Sequence, residues 1–331
     1  MAWSLGMLFL IGAVIGWIVT RSARFAALRA GIVDRPNPRS SHEEPTPTLG
    51  GLGIILGVWL ALCLGYSVLS LHPLRGWEVL LGSTLVLTLL GYDEVRPMGR
   101  LAKLAVQVGA SLLLVASGAV LHRVSFPGLG EVVLGELAFP VTLIWFVAVQ
   151  NLYNFMDGID GIAGVEGCLV AILIGGLSIK FVPNLAPLSW ALAGVTLGFL
   201  FWNFPPAKIF MGDVGGHFLG LIFGLMAVIG EDAGVPFVVI LLFMGGFLFD
   251  SVYTILRRLF LREDITQAHR YHLYQRLNAL GWAQARVSVV YGGFTLLFGA
   301  VGYLWFYGHF SQALWMGCFL ATLIVSGTLW L

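Results

Sequence analysis

Charge is what this sequence has least of. Asp, Glu, Lys and Arg make up 11% of its 331 residues, against a hydrophobic share of 58%, where a soluble domain carries roughly 25% charged residues. With a mean hydropathy of +0.91 the chain reads as an integral membrane protein. Its net charge of +1 offers no basic surface for nucleic acid. Low-complexity segments and long linkers are missing too, so residues 1–331 are expected to form a single polytopic membrane domain. Cysteine is scarce: Cys63, Cys168 and Cys318 fall far apart inside apolar runs, without Cys-x-x-Cys or Cys/His spacing. They read as packing residues, not as disulfide partners or metal ligands. The first apolar run has no basic residue ahead of it and no small-residue cleavage site behind it, so it reads as a retained helix and not as a removed signal peptide.

Membrane-length apolar sequence is what the chain has in abundance. At about 20 apolar residues per crossing, spans are expected near residues 2–20, 49–71, 77–91, 101–121, 139–153, 162–179, 186–203, 214–230, 235–256, 287–307 and 310–330. That makes an all-α integral membrane protein with about eleven transmembrane helices. Of the 18 Lys and Arg residues, all but Arg75, Arg123 and Lys180 lie in the segments after spans one, three, seven and nine. Basic residues are retained on the cytoplasmic side, which predicts the N-terminus outside and those four segments inside.

Polar residues are concentrated in the same segments and in one more. Asn151, Asn154, Asp157 and Asp160 stand at three-residue steps at the end of span five. They drift about 60° per step around a helix before two Asp-Gly pairs break it into turns. A polar loop joining two helices would use the same residue types, but carboxylates at a membrane boundary are a functional-site hypothesis by default. Asp93 and Glu94 are followed by Arg96, Arg100 and Lys103, a set suited to a metal-phosphate site and also to a solvated turn. Lys208, Asp213 and His217 stand in an otherwise apolar, Gly-rich stretch opened by Asn203; Asp213 would equally cap a helix. The Pro-rich loop 34–51 carries Arg39 and His42, which either face a phosphate or tether the chain to anionic headgroups. Late in the chain, a helix through 269–280 would put His269, His272 and Arg276 on one stripe beside Leu273, Leu277 and Leu280, an amphipathic helix lying at the interface. Asp250 reads as a packing or ion-pair residue. Acids and cations gathered on one face point to metal-dependent phosphoryl chemistry, because Mg²⁺ bridges carboxylates to a diphosphate.

At these motifs the sequence resembles the polyprenyl-phosphate N-acetylhexosaminyl-1-phosphate transferase family of glycosyltransferase family 4. The patterns N-x-x-N-x-x-D-G-x-D-G-[LI]-A-x-G and N-x-x-P-A-K-x-F-M-G-D-x-G are met by residues 151–164 and 203–215, and the resemblance covers about residues 30–286. It implies transfer of a sugar 1-phosphate from a UDP-N-acetylhexosamine to undecaprenyl phosphate, releasing UMP, on the cytoplasmic face of a bacterial inner membrane. It also implies Mg²⁺, with Mn²⁺ as a substitute, held by Asp213 and Asp157. Asp93, Glu94, Asp157 and Asp213 would be catalytic. Arg39, His42, Lys103, Asn154, Asp160, Asn203, Lys208, His269, His272 and Arg276 would meet substrate, with Asp160 alternatively holding its loop. Asp93 is the family's candidate base, yet a phosphate monoester loses its second proton near pH 6, so charge positioning or metal contact is an equal alternative.

The loop holding Arg39 and His42 and the segment 268–277 look like the branch that transfers 6-deoxy-N-acetylhexosamine phosphates, such as FucNAc or QuiNAc, in O-antigen and lipopolysaccharide synthesis. Three departures stand out. The family's Asp-Asp is Asp93-Glu94, the Ser after its Gly-Asp-x-Gly is Gly216, and its His-x-His-His run reads His272-Leu273-Tyr274-Gln275. Membrane lipids are the expected surroundings, and a homodimer is compatible with the sequence. A transporter or flippase for a lipid-linked or anionic solute is the rival reading, opposed by the absence of an internal repeat and by acids that gather on one face.

Overall fold

The computed structural model describes residues 1–36, 44–126, 130–264 and 269–330. The expected positions Arg39 and His42 lie outside the described residues. Each of the eleven apolar stretches is helical. The helices are α1 (Ala2–Ala30), α2 (Gly50–Val68), α3 (Trp77–Thr88), α4 (Arg100–Ala116), α5 (Ala138–Phe155), α6 (Ile162–Phe181), α7 (Ala186–Asn203), α8 (Gly212–Asp232), α9 (Phe237–Phe243), α10 (Gly245–Phe260), α11 (Leu273–Ala279), α12 (Gln284–Phe306) and α13 (Phe310–Trp330).

Length and composition do not by themselves confirm eleven crossings. Among the described residues six helices, α1, α2, α5, α6, α8 and α12, are long and apolar enough to cross a membrane. The ninth expected span is two helices, α9 and α10, bent by 86° at Met244, and counts as a seventh crossing if taken as one broken span. α3, with 12 residues, is too short for about 30 Å of hydrocarbon at 1.5 Å per residue. α1 runs ten residues past its apolar stretch, to Ala30, where Gly31 at φ 70° closes it by donating to the Ala27 and Leu28 carbonyls. Cys168 is buried, but Cys63 and Cys318 are exposed, so only the first is a packing residue.

α8 is the axis of the molecule. Its apolar window is 83% buried, against 28% for α1, because α5, α2 and the 3-10 turn Leu89–Glu94 all pack along it. Its two ends form separate poles. α4 and α8 begin at one pole and α3 and α5 end there, bringing Lys103, Asp213, Glu94 and Asn154 together. The short antiparallel pair β1 (Val33–Asp34) and β2 (Thr46–Pro47) belongs to this acid-bearing end, where the Pro47 carbonyl accepts from Phe210 N–H at 2.8 Å. The far pole carries the hairpin of β3 (Arg123–Phe126) and β4 (Gly130–Val133), which joins α4 to α5. Glu231, 2% exposed at the end of α8, pins that hairpin: it accepts from Ser125 N–H at 2.9 Å, from the Ser125 hydroxyl, and from Phe237 N–H at 2.5 Å.

Candidate active site

Asp213 stands in the first turn of α8, where a carboxylate is favoured by the helix dipole. The Lys103 ammonium lies 2.8 Å from one of its oxygens and 2.5 Å from Asp93 Oδ2. Asn154 Nδ2 donates to the other Asp213 oxygen at 3.2 Å. Asp93 Oδ1 accepts from Met98 N–H at 2.5 Å, so both Asp93 oxygens already have partners. Glu94 reaches the same place from beside Asp93, and Gly212, at φ 72°, is where it passes: a Cβ there would lie 2.7 Å from Glu94 Oε1. Asp157 completes the cluster from the turn between α5 and α6. Burial, then the charges of Asp213, Asp160 and Glu94, push its carboxyl well above the ordinary carboxylate range. Burial also raises Glu94, with Asp213 and Asp93 adding to it.

The donor set fits a hard divalent cation of the kind that brings its own phosphate oxygens. It is all oxygen, and four carboxylates face one ammonium, an excess of negative charge that the raised Asp157 and Glu94 register. Among the described residues no three Asp, Glu, His or Cys side chains converge tightly enough to cage a metal alone. A substrate-borne cation held by one or two carboxylates matches both observations.

Behind Asp213 a buried polar network enters the bundle. Asn151 Nδ2 gives its hydrogens to Val147 O at 2.8 Å and Gln107 Oε1 at 2.6 Å. That orients the Gln107 amide so its Nε2 meets His217 Nε2 at 2.8 Å, leaving the imidazole proton on Nδ1, 2.6 Å from Asp213 O. Gln107 and His217 each follow a site residue by one helical turn, Lys103 and Asp213, the spacing that marks them in the sequence. Gly216 lets Asn154 pack closely against α8: a Cβ there would lie 2.3 Å from its Oδ1 and 3.0 Å from its Cα.

Other expected site residues are placed elsewhere. Asn203, 2% exposed, accepts from Gly161 N–H at 3.1 Å and donates to Ile209 O at 3.0 Å, which makes it a clamp between two loops. Asp160 holds the same junction by accepting from Ala207 N–H at 2.8 Å. The Lys208 ammonium lies over the Trp202 ring, 5.8 Å from its centre, on the side facing α1. His269, His272 and Arg276 do not share a helical stripe, because α11 starts only at Leu273. Its first N–H groups donate to Asp250 from α10, at 2.9 Å from Leu273 and 3.2 Å from Tyr274. Leu273 is buried while Leu280 is 57% exposed, so the expected apolar stripe is not one surface. His272 is 3% exposed with Nδ1 3.2 Å from Asp250. Burial, then His272 and Arg258, hold the His269 imidazole down at about 4, so it is neutral at physiological pH.

Comparison with known proteins bears on this arrangement directly. The family model Glycosyl transferase family 4 matches residues 77–231, a stretch that includes every member of the acid cluster. A Bacillus subtilis (strain 168) protein named "Probable undecaprenyl-phosphate N-acetylglucosaminyl 1-phosphate transferase" is 31% identical over 292 residues, 85% of this chain and 79% of the relative. The chain belongs to the polyprenyl-phosphate N-acetylhexosamine-1-phosphate transferase family. Other members include the decaprenyl-phosphate N-acetylglucosaminephosphotransferase of Mycolicibacterium smegmatis, 30% identical over 338 residues, 91% of this chain and 82% of that one. A phospho-N-acetylmuramoyl-pentapeptide-transferase of Synechococcus sp. (strain RCC307) is 29% identical over 332 residues, 90% and 88% of the two chains. As a member of this family the protein is a multi-pass membrane phospho-sugar transferase.

Proposed function

We propose that the protein transfers an N-acetylhexosamine 1-phosphate from a UDP-sugar to undecaprenyl phosphate, releasing UMP and starting a cell-envelope glycan such as an O-antigen. The observation that carries this reading is the Asp93, Lys103, Asp213, Asn154 and Asp157 cluster, assembled at the ends of α4, α5 and α8 in a chain of this family. An oxygen of the lipid phosphate attacks the sugar-bearing phosphorus, the bond from that phosphorus to the bridging oxygen breaks, and UMP leaves with the electron pair. Mg²⁺, or Mn²⁺ in its place, would be held by Asp213 and Asp157 and would neutralise charge on the diphosphate. Asp93, with both oxygens engaged, supports a role in holding Lys103 and local charge in place in preference to proton abstraction. Glu94 sets the field of the cluster, and Asn154 orients Asp213. The charge pattern supports an N-terminus outside and a site on the cytoplasmic face of the inner membrane.

The resemblance of the loop holding Arg39 and His42 and of segment 268–277 to the 6-deoxy branch supports a donor of the FucNAc or QuiNAc type, whereas the relatives' names support UDP-N-acetylglucosamine. Purified protein with undecaprenyl phosphate, Mg²⁺ and a panel of both donor kinds separates them by UMP release and lipid product. Product from one donor establishes the reaction and the sugar together. A folded protein that makes no product from any UDP-N-acetylhexosamine overturns the proposal.

A further inference from the structure

The turn that carries Asp157 is gripped on both sides by one phenol. Tyr274 Oη donates to the Phe155 carbonyl at 3.0 Å, and the Gly158 backbone N–H bonds to the same oxygen. The contact is tight: a Cβ on Gly158 would lie 2.1 Å from Oη. Phe155 and Gly158 flank the Met156-Asp157 pair, so the hydroxyl bridges the turn across the base of the Asp157 side chain. Tyr274 is fully buried, and burial keeps its phenol far above the ordinary tyrosine range, so the O–H remains a donor at any working pH.

Tyr274 is fixed in turn. Asp250, 1% exposed, accepts from Tyr274 N–H at 3.2 Å, from Leu273 N–H at 2.9 Å, from the Tyr291 hydroxyl at 2.5 Å and from the Thr254 hydroxyl at 3.2 Å. A buried carboxylate with this many donors is well compensated and rigid. It ties α10, α11 and α12 into one support under the Asp157 turn. None of these groups reaches the acid cluster through a described contact except by way of that turn.

We propose that Tyr274, anchored by Asp250, is a positioning residue for Asp157: by clamping the Phe155 carbonyl and the Gly158 N–H it fixes where the Asp157 carboxylate meets the divalent cation that accompanies the donor diphosphate. This rests on the reading of Asp157 as part of the cation site. It gives the Tyr at position 274 a task that depends on its reach, a hydroxyl at the far end of a six-membered ring anchored on another helix.

The test compares Tyr274→Phe, Gly158→Ala and Asp157→Asn with the unchanged protein in detergent. Two quantities are read: Mn²⁺ affinity by EPR in the presence of UMP, and the Mg²⁺ dependence of transfer. Tyr274→Phe removes only the hydroxyl, and Gly158→Ala pushes the phenol away from the opposite side without altering it. Both are expected to weaken Mn²⁺ binding about tenfold, the scale of lost support for a metal ligand, and to raise the half-saturating Mg²⁺ while kcat at saturating Mg²⁺ stays within about twofold. Asp157→Asn is expected to weaken Mn²⁺ binding further. An impaired Asp157→Asn beside Tyr274→Phe and Gly158→Ala proteins of unchanged Mn²⁺ affinity overturns the clamp alone. A fall in kcat and melting temperature with unchanged Mn²⁺ affinity reduces Tyr274 to a packing residue and overturns it as well. An Asp157→Asn protein that binds Mn²⁺ normally removes the reading of Asp157 on which the proposal stands.

Discussion

Asp213 and Asp157 differ in what answers their charge, and that difference sets what each substitution should do. Asp213 has the Lys103 ammonium at 2.8 Å and the Asn154 amide at 3.2 Å. Asp213→Asn should therefore insert and purify normally yet lose at least about 10²-fold to 10³-fold in turnover, the usual cost of removing a group that answers charge in the transition state; retained activity would take Asp213 out of the cation site. Asp157 has no such answer among the described contacts, and its carboxyl titrates above its ordinary value of 3.8. A raised carboxyl favours the folded state in its protonated form. Stability without divalent cation should thus fall as pH rises from about the unfolded value through the raised one, and the half-saturating Mg²⁺ should fall over the same range as the carboxylate becomes available. Melting curves in EDTA and in Mg²⁺ across pH 4 to about 8 check both signs, and Asp157→Asn should flatten the pH dependence. The acids themselves are legible in the sequence because they stand in motifs with Gly neighbours. Gln107 and His217 show there only as residues one helical turn beyond Lys103 and Asp213, and the tasks of Tyr274 and Asp250 do not show, because they depend on partners as much as 119 positions away, as in the bond from Tyr274 to Phe155.

Helices show the same division between local pattern and distant partner. Apolar length alone locates all eleven stretches, but nothing in that length reveals the 86° break between α9 and α10. At the break, Gly245 lies against the Phe298 ring of α12, where a Cβ would be 2.6 Å from the ring; the turn is set by a helix about fifty residues on. α11 likewise starts where Asp250 accepts its first N–H groups and not where the His and Leu spacing would start it. The packing of α1 on α7 is foreshadowed in the sequence only as scattered glycines. A Cβ on Gly194 would lie 2.2 Å from Phe9 O, and one on Gly198 2.2 Å from Ala13 O. These are backbone contacts that cannot swing aside. Gly198→Leu should force α1 from α7 and lower stability by about 1–3 kcal/mol or more, read as a lower melting temperature in detergent at unchanged Mg²⁺ dependence of whatever activity survives. A Gly198→Leu protein with normal melting would mean that α1 is not held to α7 in this way.

Taken whole, the molecule is a rod of polarity along α8. From Asp213 to Glu231 the helix rises about 27 Å at 1.5 Å per residue, close to the roughly 30 Å of a bilayer's hydrocarbon core. Each end is marked by its own carboxylate network: the half-buried acid cluster with Lys103 at one pole, and buried Glu231 with the β3–β4 hairpin at the other. The helices leave the two poles chemically distinct, and the lopsided distribution of Lys and Arg along the sequence predicts the acid pole on the cytoplasmic side. That orientation matters for the proposed function because a UDP-sugar is a cytosolic solute that cannot cross the bilayer to reach a site on the other side. With the three native cysteines replaced by serine, Glu131→Cys in β4 and Arg270→Cys beside α11 place single thiols at exposed positions on opposite poles. A membrane-impermeant maleimide added to intact spheroplasts should label the protein carrying Glu131→Cys and spare the one carrying Arg270→Cys until the membrane is opened. The reverse pattern would turn the carboxylate cluster away from any cytosolic nucleotide, and the transferase reading of that cluster would have to be abandoned along with the orientation.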